Sequence, residues 1–224
     1  MSDCRFFTYH GWGFDSDFWN PWNEFLSSYG PVESYDRGYF NNPRKVELQE
    51  HPESVIIVTH SFGLHFVEEK LLGEADLLII TGGFLHFHPD APQKRKRSRL
   101  ILQQMIKELE ANPEKVLHQF YKNCFSPGNG AIEDLGGFNH QLLLDDLRLL
   151  HQSELDIKRL KKADKVCILH GVNDQIVSNQ KGRQLDANLG EKSQYFEMKN
   201  SGHALPYINH RQCLEFIEPH IEQV

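Results

Sequence analysis

Four short stretches hold the side chains that could do chemistry. In Val58-Thr59-His60-Ser61-Phe62-Gly63 an apolar run ends, a serine follows, and a helical pattern begins. A serine on such a strand-to-helix turn presents its hydroxyl at the edge of a sheet, and the next amide points into a helix start that favours anions. The plainer reading is a serine helix cap. In HGWGFDSDFW, 10–19, Gly11 and Gly13 let the backbone approach a ligand. The N–H groups of Trp12 and Phe62 are then candidate oxyanion donors, each able to lower an acyl-transfer barrier by about 3–4 kcal/mol. An ordinary strand-turn-helix connection is the alternative. In HGVNDQIV, 170–177, a strand runs into a loop carrying Asp174, which could orient a histidine or simply shape a turn. Asp156, Asp164 and Asp186 compete, but none directly follows a strand. In NSGHALPY, 200–207, His203 lies on a constrained loop beyond the last strand pattern.

Each stretch alone is weak; one histidine among 13 means little. Their order is more specific. Strand-end His-Gly, strand-turn-helix serine, strand-end acid and late Gly-His follow the succession of a Ser–Asp–His hydrolase. Together HGWGFDSDFW, THSFG, HGVNDQIV and SGHALPY resemble the α/β-hydrolase superfamily over nearly the whole chain. Within it the sequence is most similar to the biotin-pathway pimeloyl-[acyl-carrier-protein] methyl ester esterases. Those also have HGWG followed by a tryptophan, and a stretch like LLLDDLRLLHQSELDIKRLKK, 142–162. The resemblance implies Ser61 as nucleophile, His203 as base, Asp174 as its partner, and Trp12 and Phe62 as oxyanion donors. It implies ester hydrolysis without metal or cofactor; a cytoplasmic location is expected from the four cysteines, which read as reduced thiols. Three departures stand out: the family's N-terminal hairpin has no counterpart before HGWG, Thr59 occupies the usual glycine position of G-x-S-x-G, and the helical cap is short.

The elements that must position these residues are legible as patterns. RFFTY (5–9), SVIIVT (54–59), DLLIIT (76–81) and KVCILH (165–170) read as central strands of a parallel sheet, with SQYFEM (193–198) weaker. Trp19, Trp22, Phe25 and Leu26 share one helical face; Leu64, Val67 and Leu71 predict a helix running directly on from Ser61. The alternation predicts a single α/β domain, residues 1–224, with helices on both faces of a mostly parallel sheet. Residues 87–160 interrupt it and predict a helical cap. The stripe Leu102, Met105, Ile106, Leu109 marks one helix. Asn112-Pro113 opens a second with Val116, Leu117, Phe120 and Cys124, and Leu143, Leu144, Leu147 and Leu150 mark a third.

Size and charge limit the alternatives. A chain of 224 residues suits one domain with a substantial core. Twenty-four basic against 31 acidic side chains leave a net charge of -7, which argues against nucleic acid as a partner. Cys4, Cys124, Cys167 and Cys213 have neither zinc nor disulfide-framework spacing and read as reduced thiols. No secretory leader is evident and apolar runs are too short to span a bilayer. The basic cluster Lys94, Arg95, Lys96, Arg97 and Arg99 is either a solvated helix end or a dock for an acidic acyl carrier protein. Trp12, Phe14, Phe62, Phe84 and Phe87 are candidates to line an acyl pocket, with core packing as the alternative. His86-x-His88 has metal-like spacing but no evident third ligand. Expected substrates are small acyl esters. A thioesterase, a general carboxylesterase or a non-catalytic binding module could use the same scaffold.

Overall fold

The structure, a computed structural model of the chain, describes residues 4–48, 53–128, 130, 132 and 134–224. Six strands form one sheet: β1 (Cys4–Tyr9), β2 (Val32–Tyr35), β3 (Ser54–His60), β4 (Leu77–Thr81), β5 (Lys165–Gly171) and β6 (Ser193–Met198). Their order is β2-β1-β3-β4-β5-β6, and every neighbouring pair is parallel. All carboxyl ends therefore meet one edge. The order reverses between β1 and β3, where connections leave for opposite faces and open a crevice.

The central strands are apolar on both sides because both faces are covered. Phe6, Ile56, Val58, Leu77, Ile79 and Leu169 belong to one core; Phe7, Ile57, Leu78, Ile80, Val166 and Ile168 belong to the other. Adjacent residues alternate between the cores, as the two-residue period of a strand requires. Helices α1 (Asn20–Ser27) and α9 (His210–Ile221) cover the first face with Trp22, Leu26, Ile217 and Ile221. Helices α2 (Glu69–Gly73), α6 (Ile157–Leu160) and α7 (Gln180–Leu189) cover the second with Leu71, Leu160 and Leu185. Strand β2 carries no apolar signature: VESY is half-buried at a sheet edge, and two of its four residues are polar.

Helices α3 (Pro92–Ala111), α4 (Pro113–Phe125) and α5 (His140–Leu150) pack into the first core, over the carboxyl edge of the sheet. Helix α3 begins with proline, consists largely of strong helix formers and stops before Pro113, which disfavours helical backbone at Asn112. Asn112 precedes α4, but its side chain makes no capping hydrogen bond; Asn139 does cap α5, accepting from Leu142 N–H at 3.1 Å. The expected cap boundary at 160 moves back. Leu155 and Leu160 pack on the opposite face of the sheet, so the helices above the edge end at Leu150.

An ion pair, its carboxylate buried and its guanidinium 30% exposed, fastens this layer to the loop after β2. Asp146 on α5 accepts from Arg37 Nε and Nη2 at 2.7 and 2.8 Å and from the Tyr39 hydroxyl at 2.7 Å. Arg37 also lies 4.9 Å above the Phe66 ring. Replacing Asp146 by alanine leaves a guanidinium and a buried phenol unpartnered. The expected loss is about 3 kcal/mol of unfolding free energy, to be measured by urea denaturation; an unchanged midpoint would contradict the latch.

Candidate active site

The sheet edge brings Ser61, Asp174 and His203 together from three separate turns. Ser61 follows β3 with φ at 52°, in the left-handed region that a non-glycine residue adopts at a cost of roughly 1 kcal/mol or more. This sharp turn lifts the hydroxyl off the strand. The chain then forms a 3₁₀ turn, Ser61–Phe66, and leaves helical geometry at Val67 before α2 begins. The continuous helix expected through Leu64, Val67 and Leu71 is thus interrupted. Leu64 and Leu71 still reach one core because the break lies between them.

Close backbone approach fixes the turn. A Cβ on Gly63 would strike the carbonyl of His10, and one on Gly11 would come within 2.9 Å of His60 Nδ1. Glycine is needed there and not at 59. The Thr59 side chain is accommodated beside β4, with its hydroxyl donating to the Ile79 carbonyl at 3.2 Å, while Thr81 donates to the Thr59 carbonyl at 2.9 Å.

The Ser61 hydroxyl lies 3.0 Å from His203 Nε2, and His203 Nδ1 lies 2.8 Å from Asp174 Oδ2. With Nδ1–H donating to the carboxylate, Nε2 is left as the acceptor for the serine proton. Asp174 Oδ1 accepts from the N–H groups of Ile176 and Val177, each at 2.8 Å. Burial pushes the Asp174 carboxyl upward, but the charge of His203 and hydrogen bonds from His170 and His203 outweigh it and hold the group well below the usual carboxylate range. His203 itself is anchored through neighbouring backbone: Ala204 N–H donates to the Cys124 carbonyl at the end of α4 (2.9 Å), and Asn173 N–H donates to Ser201 O (2.9 Å).

Trp12 and Phe62 line the same cavity as the serine. Neither amide is used by a turn or loop hydrogen bond among the described residues, and Phe62 sits in the first turn of the 3₁₀ segment, where N–H groups lack helical acceptors. The Trp12 indole donates to Leu143 O at 2.9 Å, tying this loop to α5. Above Ser61 lies a cavity of about 1190 Å³, walled by Trp12, Phe62, Phe84, Phe87, Phe120 and Ile176. Phe14 is not part of it. Its ring packs against Phe18, His60, Phe120 and Tyr121 and borders a separate hollow of about 200 Å³.

The basic residues of α3 divide between two sides. Lys94 and Arg97 border the large cavity, together with Lys115 and Lys122 of α4. Arg95 and Arg99 border a different hollow, and Lys96 borders neither. Leu100 and Ile101, 56% and 59% exposed, also line the main cavity. The side chains of His86 and His88 have different partners: His86 meets Asp90 at 2.9 Å, while His88 meets Ser98 and His151, each at 2.9 Å. Among the described residues no three His, Cys, Asp or Glu side chains converge as metal ligands. All four cysteines are buried, and no described helix is long and apolar enough to cross a membrane.

Some contributors carry no signal in the reading of single motifs. Gly82, with φ at 59°, closes the wall behind the histidine: a Cβ there would lie 3.4 Å from His203 Nδ1. The Gly-Gly after β4 is its only sequence mark. His60 is fully buried beneath His203, with Nε2–H donating to the His203 carbonyl at 3.1 Å. Burial, reinforced by the nearby His203, holds His60 well below its ordinary pKa.

No protein-family model matches the sequence, and no curated protein matches it. Solved structures do. A bromoperoxidase from Bacillus anthracis superposes with a TM-score of 0.78 at 17% identity, covering 99% of this chain and 92% of that one. An esterase from Exiguobacterium antarcticum gives 0.78 at 15%, with 99% and 92% covered. The enol-lactonase from Burkholderia xenovorans gives 0.74 at 11%, with 100% and 93% covered.

Buried neutral histidines set an acid limit on stability. Burial holds His10 and His60 low, and pushes His65 and His88 down to about 4. Between the ordinary histidine pKa of about 6.5 and those folded-state values, the unfolded chain binds protons that the folded chain does not. Stability therefore falls as pH drops through this window, with His65 contributing up to ~1.4 kcal/mol per pH unit. Urea midpoints at pH 7, 6 and 5 should decline, and His65→Gln should flatten the slope; a midpoint that rises on acidification would contradict this. In these superpositions, at 17% identity or less, what is shared is architecture: the chain has the α/β-hydrolase fold.

Proposed function

We propose that this protein is a serine hydrolase that cleaves a carboxylic ester through an acyl-enzyme. The observation that carries the reading is the continuous hydrogen-bonded line from Ser61 Oγ through His203 to Asp174, set at the floor of an apolar cavity. His203 takes the serine proton as Oγ attacks the carbonyl carbon. The N–H groups of Trp12 and Phe62 hold the developing oxyanion. His203 then protonates the departing alcohol and activates the water that releases the acid. The Asp174 carboxylate stabilises the imidazolium at each proton transfer without taking a proton itself.

The substrate we infer is an acyl ester delivered by an acidic acyl carrier protein, as the resemblance to the pimeloyl-[acyl-carrier-protein] methyl ester esterases implies. Two features support it. The cavity walls near Ser61 are aromatic, suiting an acyl chain, and cations from α3 and α4 surround the same cavity. Such cations would speed encounter with an acidic carrier in a salt-dependent way. Lys94 and Arg97 are the members of the basic cluster that the reading assigns to docking at the cavity; Arg95, Lys96 and Arg99 would add to the field around it.

Ser61→Ala should lower hydrolysis of a short p-nitrophenyl ester by up to ~10⁶-fold, since triad members act as a unit. Wild-type turnover by the folded variant would refute the nucleophile. For the substrate, Lys94→Glu with Arg97→Glu should slow hydrolysis of a carrier-bound methyl ester by ~10-fold or more at low salt, while a free methyl ester is cleaved as before. Equal loss on both esters, or loss on neither, would remove the carrier from the proposal.

A further inference from the structure

Asp174 is held by more than its triad partner. His170, the next-to-last residue of β5, lies four residues earlier and has no solvent exposure. Its Nε2 lies 2.9 Å from the Val177 carbonyl and 3.3 Å from Asp174 Oδ2, the oxygen that also faces His203. A carbonyl can only accept, so Nε2 must carry the hydrogen. That single N–H lies between the two ends of the Asp174–Val177 turn. The turn's other contacts run the opposite way, from the N–H groups of Ile176 and Val177 to Oδ1. Rotation of the carboxylate about its side-chain bonds is thereby opposed on both oxygens. Helix α7 seats the imidazole from behind, and it can do so because residue 182 is glycine. A Cβ there would approach His170 Nδ1 to 2.8 Å.

We propose that His170 is a positioning residue for Asp174: its Nε2–H aims Oδ2 at His203 and shares that oxygen's negative charge. The inference rests on the serine-hydrolase reading above. It has two consequences. Without the N–H, the carboxylate turns away from its aligned position and the base loses its orientation. The carboxylate, no longer aimed at Nδ1–H, also stabilises the His203 imidazolium less, so the base sheds its proton at lower pH. The other titratable groups around Asp174 do not compete for this role. Cys124, at the end of α4, is kept a thiol by burial and by the charge of Asp174. His60, at the end of β3, is kept neutral by burial and by His203.

Two polar replacements separate positioning from mere filling of space. The amide N–H of glutamine reaches close to where Nε2 sits, whereas that of asparagine stops near Nδ1. The test is the rate of fluorophosphonate labelling of Ser61 from pH 5 to 9 in wild type, His170→Gln and His170→Asn, with near-ultraviolet circular dichroism to verify folding. His170→Asn should label about 10- to 100-fold more slowly at neutral pH, as for a catalytic group misplaced by up to an ångström, while His170→Gln stays within about threefold of wild type. The acid limb of the His170→Asn profile should also move to lower pH. A folded His170→Asn with wild-type rate and profile, or equal losses in both variants, would overturn the role. If His170→Asn fails to fold, a His170→Gln profile that departs from wild type by tenfold would do the same. Absence of Ser61 labelling in the wild type would instead refute the underlying hydrolase reading.

Discussion

Everything at the site depends on how closely the ends of β1 and β3 approach each other. These strands pair in register from Cys4 with Ser54 to Tyr9 with Thr59, so both chains must turn at the same level. Two glycines absorb the collision: Gly63 lies against the carbonyls of Tyr9 and His10, and Gly11 against His60 and Ser61. The remaining strain is left on Ser61 itself, whose backbone is left-handed. A relaxed turn would lay the hydroxyl along the strand. The parallel ladder on either side of β3 prevents that relaxation, because slipping one residue would exchange the two apolar faces. The energy of the sheet thus maintains a local conformation that the segment alone would not choose.

The same constraint explains which parts could be read from the sequence. Strands β1, β3, β4 and β5 are legible because burial on two faces favours unbroken apolar runs. Ser61 and Asp174 are legible because each follows such a strand; His203 follows the half-buried β6 and is legible from its Gly-His pair and its place last in the order. Strand β2 is not, since an edge strand with half-buried side chains tolerates VESY. The break at Val67 is also hidden: apolar spacing records which residues face the core, but not whether the backbone between them is continuous. Phe14 was a reasonable pocket candidate from its place after HGWG. Its ring lies instead tilted against Phe18, Phe120 and Tyr121 in an aromatic cluster. Nothing in LLLDDLRLL sets Asp146 apart from Asp145. Only the fold reveals that Arg37 and Tyr39 reach Asp146 from the far side of the chain.

Thr59 shows how a motif can be inexact and its geometry intact. The G-x-S-x-G pattern records a need for small residues where backbones crowd. In this chain the crowding falls on Gly11 and Gly63, and the space beside residue 59 opens toward β4. A threonine fits there and makes use of its hydroxyl by bonding to the neighbouring strand. The motif is therefore better understood as a set of steric conditions, each met by whichever strand happens to be nearest.

The helical layer does more than roof the cavity. Its α5 receives the Trp12 indole, its α4 receives the amide of Ala204 beside the histidine, and its Asp146 receives Arg37. Each contact ends within a residue or two of an oxyanion donor, the base, or the loop after β2. The layer and the sheet edge also share one continuous apolar core. Motion of these helices must consequently be felt at Trp12 and His203, whereas Asp174 is braced from below by β5 and α7 through His170 and Gly182. The site is then divided mechanically. The acid belongs to the rigid sheet, and the oxyanion loop and the base are coupled to the layer that any large substrate must pass. Cations from two of those helices border the same cavity. The cations and the contacts that hold the loops around Ser61 are therefore carried by the same elements.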